Sequence, residues 1–493
     1  MPNPRVLALD IGTSSVRASV YDRTLIAHRT IQVRYRWRVA ADGTVEADPQ
    51  RLLGHLQQAI DAALADEPVA IEAVGIAAFW HSLMGVNAGG RPLTPLLPWS
   101  DRRAGAQVKE LQRRLDEPSV HARTGCRFHM SYWPARLRWF RAHHRDVFAR
   151  VARWVTFPEW VEQQWLGRAG VSTSQASGTG LMQQETCRWD PDMLAASRID
   201  ERRLGPISDA DQGARLRPRL ASRWPALARA RWIPAAGDGA LNNVGAGCAR
   251  RDRAAVMVGT SGAMRVLWAP KPDERVTVPF GLWRYRLDRR RIVIGGALSN
   301  GGNVREWLLR MLAQRQDDPR VNRPQQVHLQ RLADALPPDA HGLTILPFLA
   351  GARSPDYLAD ARGTIDGLTL DTRPEHLLRA MMEAVAYGLG GIADELRQAV
   401  RVGELVAAGG GLERSAAWTQ IIADTLGRPV RLCPDAELTS RGAAALALEQ
   451  LECLRLEDVD PPRGRILRPD PGRSRIYRRA RARQDRLRRA LLG

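Results

Sequence analysis

Lysine is almost absent from this chain of 493 residues. Of its 73 lysine and arginine residues, only Lys109 and Lys271 are lysines, and all the others are arginines. A phosphate-binding loop of the GxxxxGK(S/T) type and the strand lysine of a protein kinase each require lysine in a defined context. Neither lysine has such a context. An ATP-dependent activity of this chain therefore requires a different phosphate-binding scaffold.

Cysteines are few, and long apolar runs are missing. The five cysteines form no CxxC pair, so the sequence indicates neither a disulfide framework nor a zinc site. No apolar run approaches the ~18–20 residues of a membrane span. The first residues lead straight into a strand pattern, without the layout of a signal peptide. We therefore expect a cytoplasmic protein with no membrane partner.

The formal net charge of +20 raises the question of nucleic-acid binding. The arginines are spread along the whole chain, which indicates a compositional bias rather than one basic face. One denser tract, at residues 473–489, also carries a helical apolar pattern and is interpreted as a solvated C-terminal helix. We expect no nucleic-acid partner.

Residues 6–20, VLALDIGTSSVRASV, have the pattern of a strand, a tight turn and a second strand. Asp10 stands at the end of the first strand, and Gly12 permits a sharp turn close to a ligand. Three hydroxyl-bearing residues follow: Thr13, Ser14 and Ser15. A carboxylate suits Mg²⁺, and hydroxyl and backbone N–H groups suit phosphate oxygens. The alternative interpretation is an ordinary hairpin with a polar tip.

The segment after this hairpin predicts the fold of the first half. A third strand reaches residue 34, a helix opens at Asp48-Pro49, and a buried strand follows at 70–78. Three antiparallel strands, a helix and a further strand form the opening of the ribonuclease-H-like fold.

The opening pattern recurs at residues 254–268, where strand, Gly259-Thr260-Ser261-Gly262 and strand follow one another. Recurrence of a unit at this spacing indicates an internal duplication. We therefore predict an α/β fold of two ribonuclease-H-like domains of the actin and hexokinase ATPase type. The predicted domains are residues 1–249 and 250–493, with a cleft between them in which two hairpins clamp a polyphosphate.

Asp238 follows a strand that ends near Pro234, and it is flanked by Gly237 and Gly239. A carboxylate at a strand end can accept the proton of an attacking hydroxyl. The alternative is an aspartate that merely caps the following helix. Further along the chain, residues 317–340 are interpreted as a surface excursion.

At this point the motifs resemble those of the FGGY carbohydrate kinases over essentially the whole chain. Within that family they are most similar to gluconate kinases, with xylulose kinases as the second choice. The matching segments are DIGTSSVRA at 10–18, HSL at 81–83, PLTPLLPWSDRR at 92–103, GDGALNNVGAG at 237–247, GTSGAMR at 259–265, PFLAGARSPDYLADARGTIDGLTL at 347–370 and AAGGGLERSAAWTQIIADTLGRPV at 407–430.

The resemblance implies ATP-dependent phosphorylation of a sugar-like hydroxyl, with ATP and Mg²⁺ as cofactors and a small sugar or sugar acid as partner. Asp238 matches the family's catalytic base, and Asp10 matches its magnesium-associated carboxylate. The implied sugar-binding and first phosphate-loop residues fall in 1–249, and the nucleotide-binding residues fall in 250–493. Residues matching the phosphate loops and the nucleotide side are Thr13, Ser14, Ser15, Gly259, Thr260, Gly302, Gly410, Gly411 and Ser415.

Trp80 and His81 stand where the family contacts its substrate, and Asn242 lies one helical turn beyond Asp238. Arg265 is a candidate partner for a sugar-acid carboxylate, since arginine binds carboxylates bidentately. Alternation along its strand leaves open whether Arg265 points into the cleft. A homodimer is a further expectation.

The chain departs from the family pattern at Ser172, Arg136 and Trp80, which concerns the substrate more than the catalysis. Three functions remain open: a sugar-acid kinase acting on gluconate, a kinase for a neutral ketopentose or polyol (xylulose, ribulose, glycerol or erythritol), and a catalytically silent ATP- or nucleic-acid-binding relative. The presence of both Asp10 and Asp238 argues against the third.

Overall fold

The structure is a computed structural model that describes residues 4–65, 70–168, 170–209, 214–312, 319–413, 415–433 and 437–492. For residues 319–323 it describes the backbone alone.

Strands and helices alternate through the first half. The strands are β1 (Arg5–Ile11), β2 (Ser15–Tyr21), β3 (Ala27–Arg34), β4 (Arg38–Val39), β5 (Val45–Glu46), β6 (Ile71–Ala78), β7 (Met84–Val86), β8 (Arg153–Val155), β9 (Met182–Gln183), β10 (Arg188–Trp189), β11 (Arg231–Trp232) and β12 (Ala236–Gly237). The α-helices are α1 (Pro49–Leu64), α2 (Gly105–Arg114), α3 (Glu117–Thr124), α4 (Trp133–His143), α5 (Arg145–Arg150), α6 (Phe157–Leu166), α7 (Thr173–Ser177), α8 (Pro191–Ser197), α9 (Pro218–Arg223) and α10 (Asp238–Gly245).

The second half repeats the alternation with longer helices. Its strands are β13 (Arg253–Val258), β14 (Gly262–Trp268), β15 (Trp283–Arg286), β16 (Ile292–Leu298), β17 (Thr344–Leu346), β18 (Thr364–Asp366), β19 (Glu404–Ala408), β20 (Val430–Leu432) and β21 (Arg465–Leu467). Its α-helices are α11 (Gly302–Leu312), α12 (Pro319–Ala335), α13 (Pro374–Ala399), α14 (Gly410–Glu413), α15 (Ala416–Leu426), α16 (Leu438–Gln450) and α17 (Pro471–Leu492).

The two large sheets share one topology. The first has the order β11-β6-β1-β2-β3, in which β1 and β2 are antiparallel and β1 and β6 are parallel. The second has the order β15-β16-β14-β13-β19-β20-β21, in which β13 and β14 are antiparallel and β13 and β19 are parallel. The mixed α/β architecture with an internal duplication is confirmed.

Each sheet is covered by helices that bury its apolar face. Strand β1 is buried from Val6 to Ile11, and α1 presents Leu52, Leu56 and Ile60 to the same core. In the second half α13 supplies a long buried face against β14 and β16. The spacing of apolar residues that predicted these strands and helices therefore reflects the burial of their side chains in a shared core.

Helix α16 of the second half lies on the first sheet and against α10. A Cβ at Gly245 would lie 1.8 Å from the carbonyl oxygen of Leu438, and a Cβ at Gly442 would lie 1.9 Å from that of Leu241. A Cβ at Gly75 would lie 2.0 Å from the carbonyl oxygen of Ala443. These glycines let the backbones touch, so the two halves share one buried cluster.

Two sequence-based interpretations are incomplete. Within the segment 317–340, interpreted as a surface excursion, residues 319–335 form α12, whose described side chains are largely exposed while Gln330 and Ala333 are buried; residues 317–318 lie outside the described part. The tract 473–489 belongs to a longer helix, α17, that is not simply solvated, because Tyr477, Ala480 and Gln484 are buried against the second half.

Among the residues that the structure describes, no helix is both apolar and long enough to cross a bilayer.

Candidate active site

The turn with the hydroxyl-bearing residues Thr13, Ser14 and Ser15, here called the first hydroxyl loop, joins β1 to β2. Two aromatic side chains support it. The backbone N–H of Gly12 donates to the carbonyl of Ser15 over 3.0 Å, which closes the turn. The Tyr35 hydroxyl donates to the carbonyl of Gly12 at 2.5 Å, and the Trp37 indole N–H donates to the carbonyl of Thr13 at 2.5 Å. The carbonyls are thereby turned into the protein.

The three predicted hydroxyls of this loop have different surroundings. Thr13 and Ser14 line a cavity of about 510 Å³ between the two halves. Ser15 is fully buried, and its hydroxyl accepts a hydrogen bond from Gln32 Nε2 at 2.9 Å. The structure therefore brings Thr13 and Ser14 to the cavity but places Ser15 in the sheet.

The second hydroxyl loop joins β13 to β14 on the opposite side of the same cavity. The N–H of Gly259 donates to the carbonyl of Ser261 at 3.0 Å, and both Thr260 and Ser261 line the cavity. The N–H of Gly302, the first residue of α11, donates to the carbonyl of Gly259 at 2.7 Å. Helix α11 thus braces the loop, and a direct phosphate contact of Gly302 stays a prediction.

Asp238 is the first residue of α10 and lines the cavity. Its Oδ1 accepts the N–H of Gly239 at 2.7 Å. Burial raises the pKa of Asp238 to about 6, while the charge of Arg265 and the N–H donors of Gly239 and Trp80 act in the opposite direction. A carboxyl group with this pKa is ionised at pH 7 and able to accept a proton.

Arg265 lies on β14 and points into the cavity, which settles the orientation that alternation left open. Burial lowers its pKa to about 10, the charge of Asp238 raises it and that of Arg353 lowers it. Its Nη1 is buried without a partner among the described residues. The charge of Arg265 therefore interacts with the charges of both Asp238 and Arg353.

Asp10 is buried at the end of β1, directly across the antiparallel pair from Arg17. Arg17 Nη1 lies 3.1 Å from Asp10 Oδ2, and Arg17 Nε lies 3.1 Å from an oxygen of Glu437. Burial raises the pKa of Asp10 to about 7; Arg17 lowers it, and the charges of Asp238 and Glu437 raise it. Sequence reasoning missed Arg17, although strand pairing by the hairpin turn places it opposite Asp10.

Trp80 is part of the wall behind Asp238. Its indole N–H donates to the carbonyl of Ser174 at 2.8 Å. A Cβ at Gly237 would lie 1.9 Å from the indole, and a Cβ at Gly178 would lie 2.7 Å from it. The indole thus supports the turn that carries Asp238, and its ring continues into the stacked pair Trp283 and Tyr285.

His81 lines the cavity beside Trp80 and is held in one tautomer. Its Nδ1 lies 2.5 Å from the carbonyl of Gly178, so Nδ1 carries the proton that is donated. Burial lowers the pKa of His81 to about 3, and the charges of Arg136 and Arg353 act in the same direction. The ring is neutral, and Nε2 is an acceptor for a substrate hydroxyl.

The cavity also contains residues that sequence reasoning did not single out. They are Trp99, Ser100, His129, Ser131, Tyr132, Ser261, Trp283, Tyr285, Arg353, Ser354 and Tyr357. Most lie on loops or on strands remote in sequence, where no local pattern marks them. Arg353 lies inside the segment 347–370 that resembles the carbohydrate kinases. Its place in that segment was the feature of the sequence that could have marked it as a site residue.

Asp10, Gly259 and Gly302 are not among the residues that line this cavity, and neither are four further predicted residues. Asn242 is buried on α10. Gly410 and Gly411 begin α14 at the end of β19, where a Cβ at Gly411 would lie 2.8 Å from the carbonyl oxygen of Val258. The Ser415 hydroxyl accepts the N–H of Trp418 and donates to Asp334 Oδ1, both at 3.1 Å. Contacts of these residues with substrate or nucleotide stay predictions.

Comparison with known proteins identifies the family. The profile of the N-terminal domain of the FGGY family of carbohydrate kinases matches residues 5–245, and that of the C-terminal domain matches residues 254–450. The chain belongs to the FGGY family of carbohydrate kinases. This confirms the predicted family and the predicted class of enzyme.

Individual FGGY relatives agree over most of their length. Gluconokinase from Bacillus subtilis (strain 168) is 26% identical over 453 residues, which cover 90% of this chain and 87% of that protein. Glycerol kinase from Rhizorhabdus wittichii is 30% identical over 458 residues, which cover 89% and 87%. The crystal structure of gluconate kinase from Lactobacillus acidophilus shares the fold with a TM-score of 0.89 at 23% identity, covering 99% of this chain and 98% of that one.

Membership of the FGGY kinases implies ATP as a substrate and typically Mg²⁺ as the accompanying ion. Mg²⁺ is held in proteins by one or two carboxylates together with substrate phosphates. Asp10 is a buried carboxylate whose neighbours Asp238 and Glu437 repel its charge, and a divalent cation relieves such repulsion. Arg17 contacts Oδ2 of Asp10, which leaves Oδ1 for an ion. The residues present therefore fit Mg²⁺.

Proposed function

We propose that this FGGY kinase transfers the γ-phosphoryl group of ATP to a hydroxyl of a sugar acid, namely gluconate, to give 6-phosphogluconate. One observation carries the proposal. The cavity between the two hydroxyl loops is lined by a single carboxylate, Asp238, and by two arginines, Arg265 and Arg353, among the residues that the structure describes. A surplus of positive charge in a partly dry cavity favours an anionic sugar over a neutral one.

Asp238 acts as the general base in this proposal. The attacking hydroxyl oxygen forms a bond to the γ-phosphorus, the bond to the β–γ bridging oxygen breaks, ADP leaves, and the hydroxyl proton passes to Asp238. The pKa of about 6 that burial gives Asp238 keeps it ionised at neutral pH while leaving it a useful proton acceptor.

The two hydroxyl loops hold the phosphates from opposite sides. Thr13 and Ser14 approach from β1 and β2, and Gly259 and Thr260 approach from β13 and β14. Hydroxyl and N–H donors so placed stabilise the equatorial oxygens of the transferred phosphoryl group. Asp10 would hold Mg²⁺, which would supply positive charge beside the phosphates.

Trp80 and His81 orient the sugar. The Trp80 ring offers an apolar face to the C–H groups of a polyol, and Nε2 of neutral His81 accepts one hydroxyl proton in a hydrogen bond. Asn242, which is buried on α10 one helical turn beyond Asp238, is the further substrate-side residue in this proposal. The sugar-binding part in this proposal is residues 1–249, and the nucleotide side is residues 250–493 with Gly410, Gly411 and Ser415.

A kinase for a neutral polyol is the second candidate. It is supported by the glycerol kinase relative, whose identity of 30% exceeds the 26% of the gluconokinase relative. The two candidates differ in whether the substrate carries a carboxylate, which makes them separable by a direct assay.

The test is an ATP-consumption panel with gluconate, xylulose, ribulose, glycerol and erythritol, each over a range of concentrations. We expect the highest kcat/KM with gluconate. A neutral sugar that is phosphorylated far better than gluconate would overturn the sugar-acid proposal and leave the kinase activity standing. Consumption of ATP with none of the five, or equally without sugar, would count against both candidates.

A further inference from the structure

Arg353 is the cation of the cavity that lacks a counter-charge. It lies in the loop between β17 and β18 and lines the cavity. Among the described residues, no carboxylate lies within ion-pairing distance of it, and its Nε is buried without a partner. Leaving a partly buried cation without an anion is costly, so the presence of Arg353 in a cleft points to a ligand that supplies the anion.

Arg136 and Arg265 differ from Arg353 in the groups that lie near their guanidinium charges. Arg136 is buried, but its three guanidinium nitrogens donate to the carbonyls of Met130, His81 and Pro98. Arg265 has the charge of Asp238 nearby. Arg353 makes one hydrogen bond, from Nη2 to the carbonyl of Leu298 at 2.9 Å.

The guanidinium plane of Arg353 is fixed before any ligand arrives. Its central carbon lies 4.5 Å from the centroid of the Trp99 ring, so one face of the group is covered by a residue of the first half. A covered face directs the remaining N–H groups outward in the guanidinium plane. This is the geometry in which arginine binds a carboxylate with two parallel hydrogen bonds.

The neighbours of Arg353 complete an environment for the acid end of a polyol. Nδ1 of His129 lies 2.8 Å from Ser131 Oγ, and the pKa of His129 is lowered to about 3 by burial and by Arg353. The ring is therefore neutral, with one nitrogen a hydrogen-bond donor and the other an acceptor. Tyr132 and Tyr285, whose hydroxyls lie 2.7 Å apart, add further polar groups to this wall.

We propose that Arg353 binds the carboxylate of the substrate and thereby selects a sugar acid, while Arg265 serves Asp238. The inference rests on the proposed gluconate kinase activity. It differs from the sequence-based expectation, which gave the carboxylate to Arg265.

The test compares kcat and KM for gluconate with those for gluconamide, which has the same length and hydroxyls but no charge. Arg353→Gln is expected to raise KM for gluconate about 10- to 100-fold, because a charge-assisted bidentate pair is lost. KM for gluconamide is expected to change less than about threefold, and kcat with either compound should change little. Arg353→Lys keeps the charge and should recover part of the affinity for gluconate.

Two matched variants and one binding measurement complete the design. Arg265→Gln should lower kcat with both compounds, and Arg401→Gln, at an exposed turn, should change nothing. Thermal unfolding should show that Arg353→Gln is folded and that added gluconate no longer raises its melting temperature as it does for the wild type.

The outcomes separate the two proposals. If the wild type uses gluconate but Arg353→Gln affects both compounds equally, or affects neither, the role of Arg353 is refuted and the gluconate kinase stands. Selective loss of gluconate in Arg265→Gln instead would return the carboxylate to Arg265. A wild type that prefers gluconamide or neutral sugars would refute the gluconate kinase and, with it, this inference.

Discussion

The two hydroxyl loops are built on the same scaffold, but they differ at the residue two positions before the turn glycine. In the first half Asp10 precedes Gly12 by two residues; in the second half Met257 holds the same place before Gly259. Met257 lines the cavity as an apolar side chain. Duplication thus supplied two hydroxyl-bearing turns beside the cavity, and the carboxylate at one of them gives that turn a chemistry that the other lacks.

The residues that support the two loops also differ. The first loop is braced by Tyr35 and Trp37, which occupy the carbonyls of Gly12 and Thr13. The second is braced by the N-terminus of α11, through Gly302 and the N–H of Asn303 to the carbonyl of Thr260. The two aromatic residues follow β3 in the chain, between β3 and β4. Two loops of similar geometry are therefore supported by different elements.

The largest effect should come from Asp238, which lies between the two loops. Asp238→Asn removes the proton acceptor but keeps the side-chain size. We expect kcat to fall by about 10²–10⁴-fold, with ADP affinity changed little. Steady-state rates and calorimetric titration with ADP measure the two effects. A variant that retains more than a tenth of the rate would show that another group accepts the proton.

The comparison between Asp10 and Met257 is tested by paired substitutions. Asp10→Asn should raise the Mg²⁺ concentration needed for half-maximal rate by about 10- to 100-fold or more, because the ion loses a charged ligand. Met257→Leu should leave that concentration unchanged. Rates measured against Mg²⁺ at saturating ATP decide the matter. Equal effects of both changes would mean that the loops do not differ as proposed.

The pH dependence follows from the raised pKa of Asp238. Its pKa is about 6 in the folded protein, against 3.8 for an ordinary aspartate, so the folded state binds the proton more tightly. Stability is therefore lost as pH rises from about 4 through 6, and kcat/KM is gained over the upper part of the same range. Asp238→Asn should raise the free energy of unfolding by up to about 3 kcal/mol above pH 7.

Chemical denaturation of both proteins at pH 5 and pH 8 measures this difference. We expect the stabilisation to shrink at the lower pH, where Asp238 is largely protonated in the folded state. A stabilisation that is equal at both pH values would show that burial of the charge is not its cause.

The smallest effect distinguishes neighbouring serines of the first loop. Ser14→Ala removes a hydroxyl that lines the cavity, and we expect a severalfold increase in KM for ATP with little change in stability. Ser15→Ala removes the acceptor of the Gln32 hydrogen bond and should cost about 1 kcal/mol of stability without changing KM. A severalfold KM effect of Ser15→Ala would place it at the phosphates after all.

The sequence predicted what depends on local pattern. The strand–turn–strand units, the position of Asp238 after a strand, and the helix that opens at Pro49 all follow from periodicity and turn residues. The recurrence of the strand–turn–strand pattern predicted two such units around a cleft, and the family resemblance agreed with it. These features need no knowledge of which distant segments meet.

The rest depends on contacts between distant segments. The orientation of Arg265 and the stacking of Arg353 on Trp99 are set by loops that meet only in the folded chain. Helix α12 was missed because Pro324 lies inside it and its sequence is largely polar. Helix α17 has few apolar positions. The sequence therefore could not distinguish a partly buried helix from one that is fully exposed to solvent.

The glycine contact between α10 and α16 has a consequence for how the enzyme moves. Backbones that touch at Gly245 and Gly442 leave no side chains over which the two helices could slide. We expect cleft closure, which would keep water from the phosphate, to be a rotation about this contact rather than a sliding of one helix along the other. Asp238 begins α10, at the opposite end from Gly245. The proton acceptor would therefore stay joined to this contact through a single helix.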